Sequence, residues 1–406
     1  MKKGEIMGII CIHTPSLKTD NERVMLSYDV TVKNDKGNSK RETLWFSISE
    51  KYKEYISDEV CDGVVLIMLF YALRGGYNID SEVPISSRLY YTLTHQFIPQ
   101  MVLMNPSAYH VELKMNTCVM NWNPNAVATA MSCGIDSLTT YYEYTDDKIP
   151  RDLQITHLTF FEQGAHHGGG GRSWEEQDRI YMAQLETAKH FCKEVGKDLI
   201  DIRSNLDDFL NRLLWHEYYE HTHTYKNIGI VLLLQKLIKV YYYSATYNLD
   251  CFSCSLEDDS AHYEKWMLPN SSTEQTSFFS SNSSRTRIEK IKYLSERPET
   301  YGHILVCYRE GKNCGICMKC WRTMLEMEVS GVLDLYSTSF NIEEFRNNYE
   351  NYISEMISRK NRESLMNQIY WYMKNQKLLI PLKCEIRGRI RRIHRWVLQI
   401  CAKNNS

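Results

Sequence analysis

Four cysteines late in the chain have the spacing of a metal site. Cys314, Cys317 and Cys320 form two overlapping C-x-x-C pairs, and Cys307 precedes them. Four thiolates can complete a tetrahedral shell around one ion, and Gly315 permits the tight turn between two of the ligands. A Zn²⁺ ion held in this way has no open coordination position and would be structural. The alternatives are an iron–sulfur cluster and no metal.

A second candidate site is the segment Ser132-Cys133-Gly134-Ile135-Asp136-Ser137. It follows an apolar run typical of a β-strand and precedes a helical pattern, which indicates the turn between a strand and a helix. Backbone N–H groups and the helix N-terminus favour anions in such a turn, and the two serine hydroxyls can donate to phosphate oxygens. Asp136 either helps to hold Mg²⁺ or only caps the helix.

The elements that position these segments indicate an α/β fold. Short apolar runs alternate with helix-length segments, which is typical of parallel βαβ units. The expected strands cover residues 126–131, 155–161, 198–202, 249–254 and 303–306. A helix is expected at 225–243, and a Ser/Asn-rich loop at 270–284. The pattern predicts a doubly wound, mostly parallel five-stranded sheet with its ligands at the carboxyl ends of the strands.

Three domains are expected. Residues 1–115 combine β-rich segments with a helix predicted over 58–73, and they form a small N-terminal α+β domain. Residues 116–330 contain the five-stranded sheet and the four cysteines. Residues 331–406 form a helical C-terminal extension.

The order of these features resembles the PP-loop ATP pyrophosphatases and, among them, the 7-cyano-7-deazaguanine synthases. The loop at 132–137 is similar to the family pattern Ser-Gly-Gly-x-Asp-Ser, although Cys133 replaces the first glycine. Residues 159–167, Thr-Phe-Phe-Glu-Gln-Gly-Ala-His-His, match the strand end of those synthases, and the four cysteines follow the sheet as they do there. The resemblance covers residues 126–330, about half of the chain.

The resemblance implies a Rossmann-like domain of the adenine nucleotide alpha hydrolase type over residues 116–330. Residues 132–137 would bind the phosphates of ATP with the help of Mg²⁺, and Thr159, Phe160 and Phe161 would contact the adenine. Asp136, Lys226 and Arg287 are the expected catalytic residues, with Lys226 at the start of the third crossover helix. The implied enzyme adenylates a carboxylate or amide, releases pyrophosphate, and lets a nitrogen nucleophile displace AMP.

Two other functions remain open. A loop impaired by Cys133 would leave a catalytically degenerate module that binds nucleotide without turnover. Cys251 and Cys254, together with a basic C-terminal helix, would suit an enzyme that thiolates tRNA. Free cysteines in strands are, however, more often small buried apolar residues.

Composition limits the class of protein. The chain has 406 residues, of which 43% are hydrophobic, and 48 Lys+Arg stand against 50 Asp+Glu. This balance predicts a folded protein and gives no global sign of nucleic-acid binding. The apolar runs are shorter than the roughly 18 residues of a membrane span, and the N-terminus does not resemble a secretory signal. With 13 cysteines, of which the only tight cluster has metal spacing, we expect a cytoplasmic protein.

The C-terminal helix is basic and amphipathic. Its apolar residues are spaced along one face at Ile386, Ile390, Ile393, Val397 and Ile400, and its arginines lie elsewhere. Such a helix could bind RNA or an anionic surface, or it could dock on its own protein with its arginines in water. The other expected partners are ATP and an unknown small-molecule or macromolecular acceptor, in a homo-oligomer.

Overall fold

A computed structural model describes residues 6–165 and 173–404, with the backbone alone for residues 399–404. His166, His167 and the glycines at 168–171 lie outside the described residues. The described chain forms two compact units. The sheet unit contains the residues up to Ser132, residues 140–245 and residues 252–281, and the helical unit contains residues 133–139, 246–251 and those from Asn282 onward. The three domains predicted with boundaries at 115 and 330 stay a prediction.

All strands of the described chain belong to the sheet unit. They are β1 (Gly8–Ile12), β2 (Ser16–Asp20), β3 (Arg23–Asn34), β4 (Ser39–Ser49), β5 (Tyr77–Ser81), β6 (Ile85–Ser86), β7 (Leu113–Lys114), β8 (Thr117–Cys118), β9 (Ala126–Ala130), β10 (His157–Phe161), β11 (Asp198–Ser204), β12 (Ile238–Ser244) and β13 (Ser277–Ser281).

The described helices are distributed over both units. They are α1 (Asp62–Gly75), α2 (Ser87–Thr92), α3 (Ile98–Met104), α4 (Ile135–Tyr144), α5 (Trp174–Glu194), α6 (Leu206–Leu213), α7 (Tyr219–Val231), α8 (Glu264–Asn270), α9 (Arg287–Ser295), α10 (Met318–Val329), α11 (Ile342–Asn347), α12 (Tyr349–Arg359), α13 (Ser364–Asn375) and α14 (Leu382–Asn404). Among these described helices, none combines the length and the apolar character that crossing a bilayer requires.

Eleven of the strands form one sheet in the order β13–β12–β9–β10–β11–β4–β3–β1–β5–β7, with β2 paired to β3. The five strands from β13 to β11 are parallel to their neighbours. β4 then pairs antiparallel with β11, where Ile48 lies opposite Ile202, so the N-terminal strands extend the same sheet. The predicted α/β class with a largely parallel sheet is therefore confirmed at this level.

Two of the five expected strands are wrong. Residues 249–254 contain only a short 3₁₀ turn at Leu249–Cys251, and residues 303–306 form no regular strand. Their places in the sheet are taken by β12 and β13. β12 lies in the segment expected to be helical, where it is almost wholly buried and rich in tyrosine, which suits a central strand.

The core of the sheet unit is built around helix α1, whose residues from Asp62 to Leu73 are all buried. The helix predicted over 58–73 is thus present, although it begins at Asp62 and not at residue 58. The φ of +72° at Gly76, which ends the helix, is the left-handed conformation that favours glycine. α1 packs against α7. A β carbon on Gly63 would lie 2.3 Å from the carbonyl oxygen of Gly229, so the two backbones meet at closest approach through glycine.

In the helical unit, α10 packs against α9, α11, α12 and α13, and α14 packs along α12. The ring of Trp321 on α10 stacks on that of Tyr352 on α12, with centroids 5.3 Å apart. Burial of these aromatic rings joins the helices into one core. The helices α11, α12 and α13, which follow the cysteine cluster in sequence, therefore pack on α10.

Candidate functional site

The loop at 132–137 directly follows β9, and α4 begins at Ile135. The carbonyl oxygen of Gly134 in this loop accepts hydrogen bonds from the N–H of Leu138 at 3.0 Å and from Oγ of Ser137 at 3.1 Å. Cys133 is fully buried and has a φ of +56°. The position therefore has the backbone conformation that favours glycine, and a β carbon there costs roughly 1–2 kcal/mol.

The strand that leads into this loop lies where the order of the parallel strands reverses. β9 is first of the five in the chain, and it lies between β10, which is second, and β12, which is fourth. The crevice beyond the carboxyl ends of two such strands is where open α/β sheets bind their ligands. Thr129 of β9 donates from Oγ1 to the carbonyl oxygen of Tyr242 at 2.8 Å, which ties the two central strands together.

Two cations contact the carboxylate of Asp136 within the helical unit. Nη1 of Arg287 lies 2.6 Å from Oδ2 of Asp136, and Nζ of Lys290 lies 2.9 Å from Oδ1. Both cationic side chains are buried, whereas Asp136 is about one-fifth exposed. Two of the predicted catalytic residues, Asp136 and Arg287, are thus in direct contact.

A second carboxylate reaches the same arginine from α10. Oε2 of Glu326 accepts from Nε of Arg287 at 3.0 Å. Arg322, one turn earlier on α10, lies 3.9 Å from Oε1 of Glu326, too far for a hydrogen bond, and its Nε has no hydrogen-bond partner among the described residues. We call Asp136, Arg287, Lys290, Arg322 and Glu326 the ion cluster. Its three cations and two carboxylates give the set an excess of positive charge.

Burial and neighbouring charges act in opposite directions on the two carboxylates. Burial would raise the pKa of Asp136, but the charges of Lys290 and Arg287 outweigh it and hold this pKa below its ordinary value. At Glu326 burial dominates, so its pKa is raised despite the arginines beside it. Burial, together with the charge of Arg287, lowers the pKa of Arg322. Asp136 is therefore the carboxylate of the cluster that stays ionised to the lowest pH.

The four cysteines converge as their spacing predicts. The sulfur atoms of Cys307, Cys314, Cys317 and Cys320 all lie within 4.8 Å of one another, and those of Cys314 and Cys320 are 4.0 Å apart. Gly315 has a φ of +76°, which allows the turn between the ligands. The N–H of Cys317 points to Sγ of Cys314 at 3.4 Å, and such donors stabilise a thiolate. These four cysteines can bind a metal ion such as zinc.

Asn313 supports this cluster and was missed in the sequence. Its Oδ1 accepts from the N–H groups of Val306 at 2.9 Å and of Cys307 at 3.3 Å, and its Nδ2 donates to the carbonyl oxygen of Ile304 at 2.7 Å. These hydrogen bonds fix the segment at residues 304–307, which contains the candidate ligand Cys307. Glu326 and Arg322 were also missed, although their spacing of four residues just after Cys320 is that of an ion pair on a helix.

The other predicted site residues belong to the sheet unit. Thr159, Phe160 and Phe161 are buried at the end of β10, and the carbonyl oxygen of Thr159 accepts from the N–H of Met131 at 2.8 Å. Lys226 is buried and its Nζ lies 2.5 Å from Oδ1 of Asp207. It lies inside α7, which begins at Tyr219, so the expected position at a helix start is wrong. The roles of these four residues stay predictions.

The two cysteines proposed for sulfur chemistry differ in surroundings. Gln368 donates from Nε2 toward Sγ of Cys251 at 3.5 Å within the helical unit. Cys254 lies in the sheet unit, where burial raises its pKa to about 11. A thiol with a raised pKa is a poor nucleophile at neutral pH, and Cys254 is a partly buried residue packed against the apolar core of the sheet unit.

Comparison with protein-family models, with curated proteins and with solved structures gives no match for this chain. Its function must therefore be inferred from its own residues and their geometry.

Proposed function

We propose that this protein is an AMP-forming ligase of the PP-loop ATP pyrophosphatase class, with an adenine nucleotide alpha hydrolase type of fold. The observation that carries the proposal is the loop at 132–137, which directly follows the strand at which the order of the parallel sheet reverses. The left-handed backbone at Cys133 supports it, because the family pattern has glycine at this position.

The ion cluster supports a polyphosphate ligand. Arg287 and Lys290 lie beside the loop carboxylate, and Arg322 has an Nε that no described acceptor satisfies. Buried cations in excess over carboxylates favour an anion, and a phosphate oxygen is an acceptor that a guanidinium suits. Mg²⁺ takes one or two carboxylates together with phosphate oxygens, so an ion bridging Asp136 and the phosphates fits this set.

In the proposed reaction a carboxylate or amide oxygen of the acceptor attacks the α phosphorus of ATP, and the bond from that phosphorus to pyrophosphate breaks. A nitrogen nucleophile then attacks the acyl carbon, loses a proton, and releases AMP. Bound Mg²⁺ would neutralise part of the charge on the departing pyrophosphate. Arg287 and Lys290 orient the phosphates and stabilise the same charge, while Glu326 and Asp136 hold the two cations in place. Lys226 and Thr159–Phe161 are the proposed contacts to substrate and adenine.

Calorimetric titration with ATP and Mg²⁺, and with inorganic pyrophosphate, tests the proposal. We expect the parent protein to bind both, and Arg287→Gln to weaken binding by roughly tenfold or more, because one charged hydrogen bond is lost. Arg287→Lys should recover part of the affinity. Lys292→Gln is the control, because Lys292 is exposed on the same helix α9 outside the ion cluster. A folded parent that binds neither ligand would overturn the proposal.

A catalytically silent nucleotide-binding module is the second candidate. Cys133 favours it, because this buried side chain occupies a position whose backbone suits glycine. AMP and pyrophosphate formation from ATP, measured with a deproteinised cell extract as the acceptor source, separates the two. The ligase predicts AMP formation that Asp136→Ala abolishes. Binding of ATP without AMP formation, in the parent and in Cys133→Gly alike, would favour the silent module.

For the four cysteines we propose one structural Zn²⁺ ion, with an iron–sulfur cluster as the alternative. The four thiolates would fill all four positions of a tetrahedral shell, which suits a closed structural site. Elemental analysis of purified protein distinguishes zinc from iron.

A further inference from the structure

Helix α14 docks on the helical unit with its polar face and leaves its apolar face outside. Five aliphatic side chains follow one another at helical spacing and are between 44% and 73% exposed: Leu382, Ile386, Ile390, Ile393 and Val397. We call them the apolar stripe. Surface helices normally bury such a stripe against the protein, so this one needs another partner.

The opposite face of α14 is the docked one. Cys384 is fully buried, and a β carbon on Gly388 would lie 2.7 Å from the side chain of Ile357 on α12. Nη2 of Arg391 donates to Oδ1 of Asn351 at 2.8 Å, and Arg395 donates to Glu355, both on α12. The docking of α14 was anticipated, but its orientation is reversed: two arginines face the protein and the isoleucines face outward. The side chain of Ile400 lies outside the described residues.

Arginines that do not serve docking flank the stripe. Arg387 and Arg389 are exposed, and within the described chain neither Arg387 nor Arg392 has an ion-pair partner. Over residues 382–398 six Lys and Arg stand against one Glu. Trp396, beside the stripe, is 56% exposed. An exposed aliphatic row with a tryptophan at its side and cations along its flanks is the chemistry of a helix that lies in the surface of a membrane.

We propose that α14 binds the surface of an anionic phospholipid bilayer, with its apolar stripe in the acyl-chain boundary and its flanking arginines at the headgroups. Lipid fits better than RNA, because RNA offers nothing to bury five aliphatic side chains. It fits better than a second copy of α14, because a symmetric pairing would bring two strongly basic helices together. The proposal is independent of the nucleotide chemistry.

Vesicle co-sedimentation of the full chain tests this surface. We expect binding to vesicles of phosphatidylcholine and phosphatidylserine at roughly 7:3, and little binding to phosphatidylcholine alone, since each cation near an anionic surface contributes about fivefold. Ile390→Glu with Ile393→Glu should lower binding by more than about a hundredfold, because burying each aliphatic side chain contributes more than tenfold. Leu103→Glu is the matched control, because Leu103 is 80% exposed on α3, away from α14 in the chain.

Charge and fluorescence variants complete the test. Arg387→Gln with Arg389→Gln should weaken binding roughly thirtyfold, while the exposed pair Arg151→Gln with Arg362→Gln should not. The blue shift of tryptophan emission on adding anionic vesicles should be lost in Trp396→Phe while binding is largely kept, which shows insertion of α14 itself.

Three outcomes would overturn the proposal. The first is no preference for anionic vesicles in a parent with native circular dichroism. The second is a parent dimer, measured by analytical ultracentrifugation, that Ile390→Glu with Ile393→Glu dissociates while vesicle binding is absent. The third is binding of an RNA oligonucleotide that the arginine variants weaken and the isoleucine variants leave unchanged.

Discussion

Replacing Cys133 by glycine and, separately, by alanine tests the backbone of the loop on which the proposed function depends. Cys133 is fully buried at a φ of +56°. Alanine removes the sulfur but keeps the β carbon, and a left-handed conformation costs such a residue roughly 1–2 kcal/mol. Glycine removes that cost but gives the unfolded chain extra freedom, which offsets about 0.4–1 kcal/mol. At the middle of these two ranges, the Cys133→Gly variant should be more stable than the Cys133→Ala variant by about 0.8 kcal/mol.

A matched pair at Cys192 supplies the control. Cys192 is also buried, but it lies in the regular helix α5. There Cys192→Gly should be less stable than Cys192→Ala by up to about 1 kcal/mol, because glycine weakens a helix and Cys192 lies in the last turn of α5. The two pairs are compared by urea unfolding followed by circular dichroism under identical conditions. Both exchanges remove the same atoms, so the opposite order of stability at the two positions isolates the backbone conformation.

The order of the variants is the decisive result, since unfolding of a chain with two compact units need not be two-state. If Cys133→Ala exceeded Cys133→Gly in stability by as much as Cys192→Ala exceeds Cys192→Gly, position 133 would not have a left-handed backbone. The similarity of this loop to a glycine-containing pattern would then lose its structural support.

Three further predictions concern the helical unit. Cys320→Ser should remove most of the bound metal, measured by elemental analysis, because a closed site loses one of its four thiolates. Glu326→Leu should destabilise the fold by about 3–5 kcal/mol in thermal or urea unfolding, because it leaves Arg287 buried without this partner, whereas the more exposed Glu328→Gln should cost less than about 1 kcal/mol. The lowered pKa of Asp136 implies stability that is present above its ordinary pKa of 3.8 and is lost as the pH falls through the lower folded value. Between about pH 5 and pH 2, the free energy of unfolding should therefore depend less steeply on pH in Asp136→Asn than in the parent. An equal slope would show that another carboxylate is responsible.

The strands of the parallel part of the sheet were predictable only where an apolar run was separated from its neighbours by polar residues or turns. β9, β10 and β11 are bounded by polar residues or turns, and the sequence located all three. β12 follows α7 after a short run of buried leucines, so the apolar pattern continued and a single long helix was predicted. β13 has the sequence Ser-Phe-Phe-Ser-Ser, and its Ser281 is fully buried with Oγ donating to the carbonyl oxygen of Tyr243 at 3.0 Å. A serine satisfied in this way cannot be told from a loop serine by composition.

In the candidate site, too, the features set by local sequence were predictable and those set by packing between helices were not. The cysteine cluster was predictable, because its ligands are close together in sequence and their spacing alone sets their geometry. Arg287 was expected at the site from the family resemblance, and the structure pairs it with Asp136. Glu326 could not be assigned in this way, because its contact with Arg287 depends on how α10 packs against α9.

Helix α10 links the metal ligands to the ion cluster. Cys317 caps the helix, Cys320 lies in its first turn, and Arg322 and Glu326 follow within two turns. A metal bound by the four cysteines would fix the start of α10 and, through the helix, the position of Glu326 at 3.0 Å from Nε of Arg287. A structural ion of this kind would affect the proposed nucleotide binding without contacting the nucleotide. Because buried ion pairs lose their favourable energy with small displacements, the cysteine cluster can hold the geometry of the cations without taking part in the chemistry.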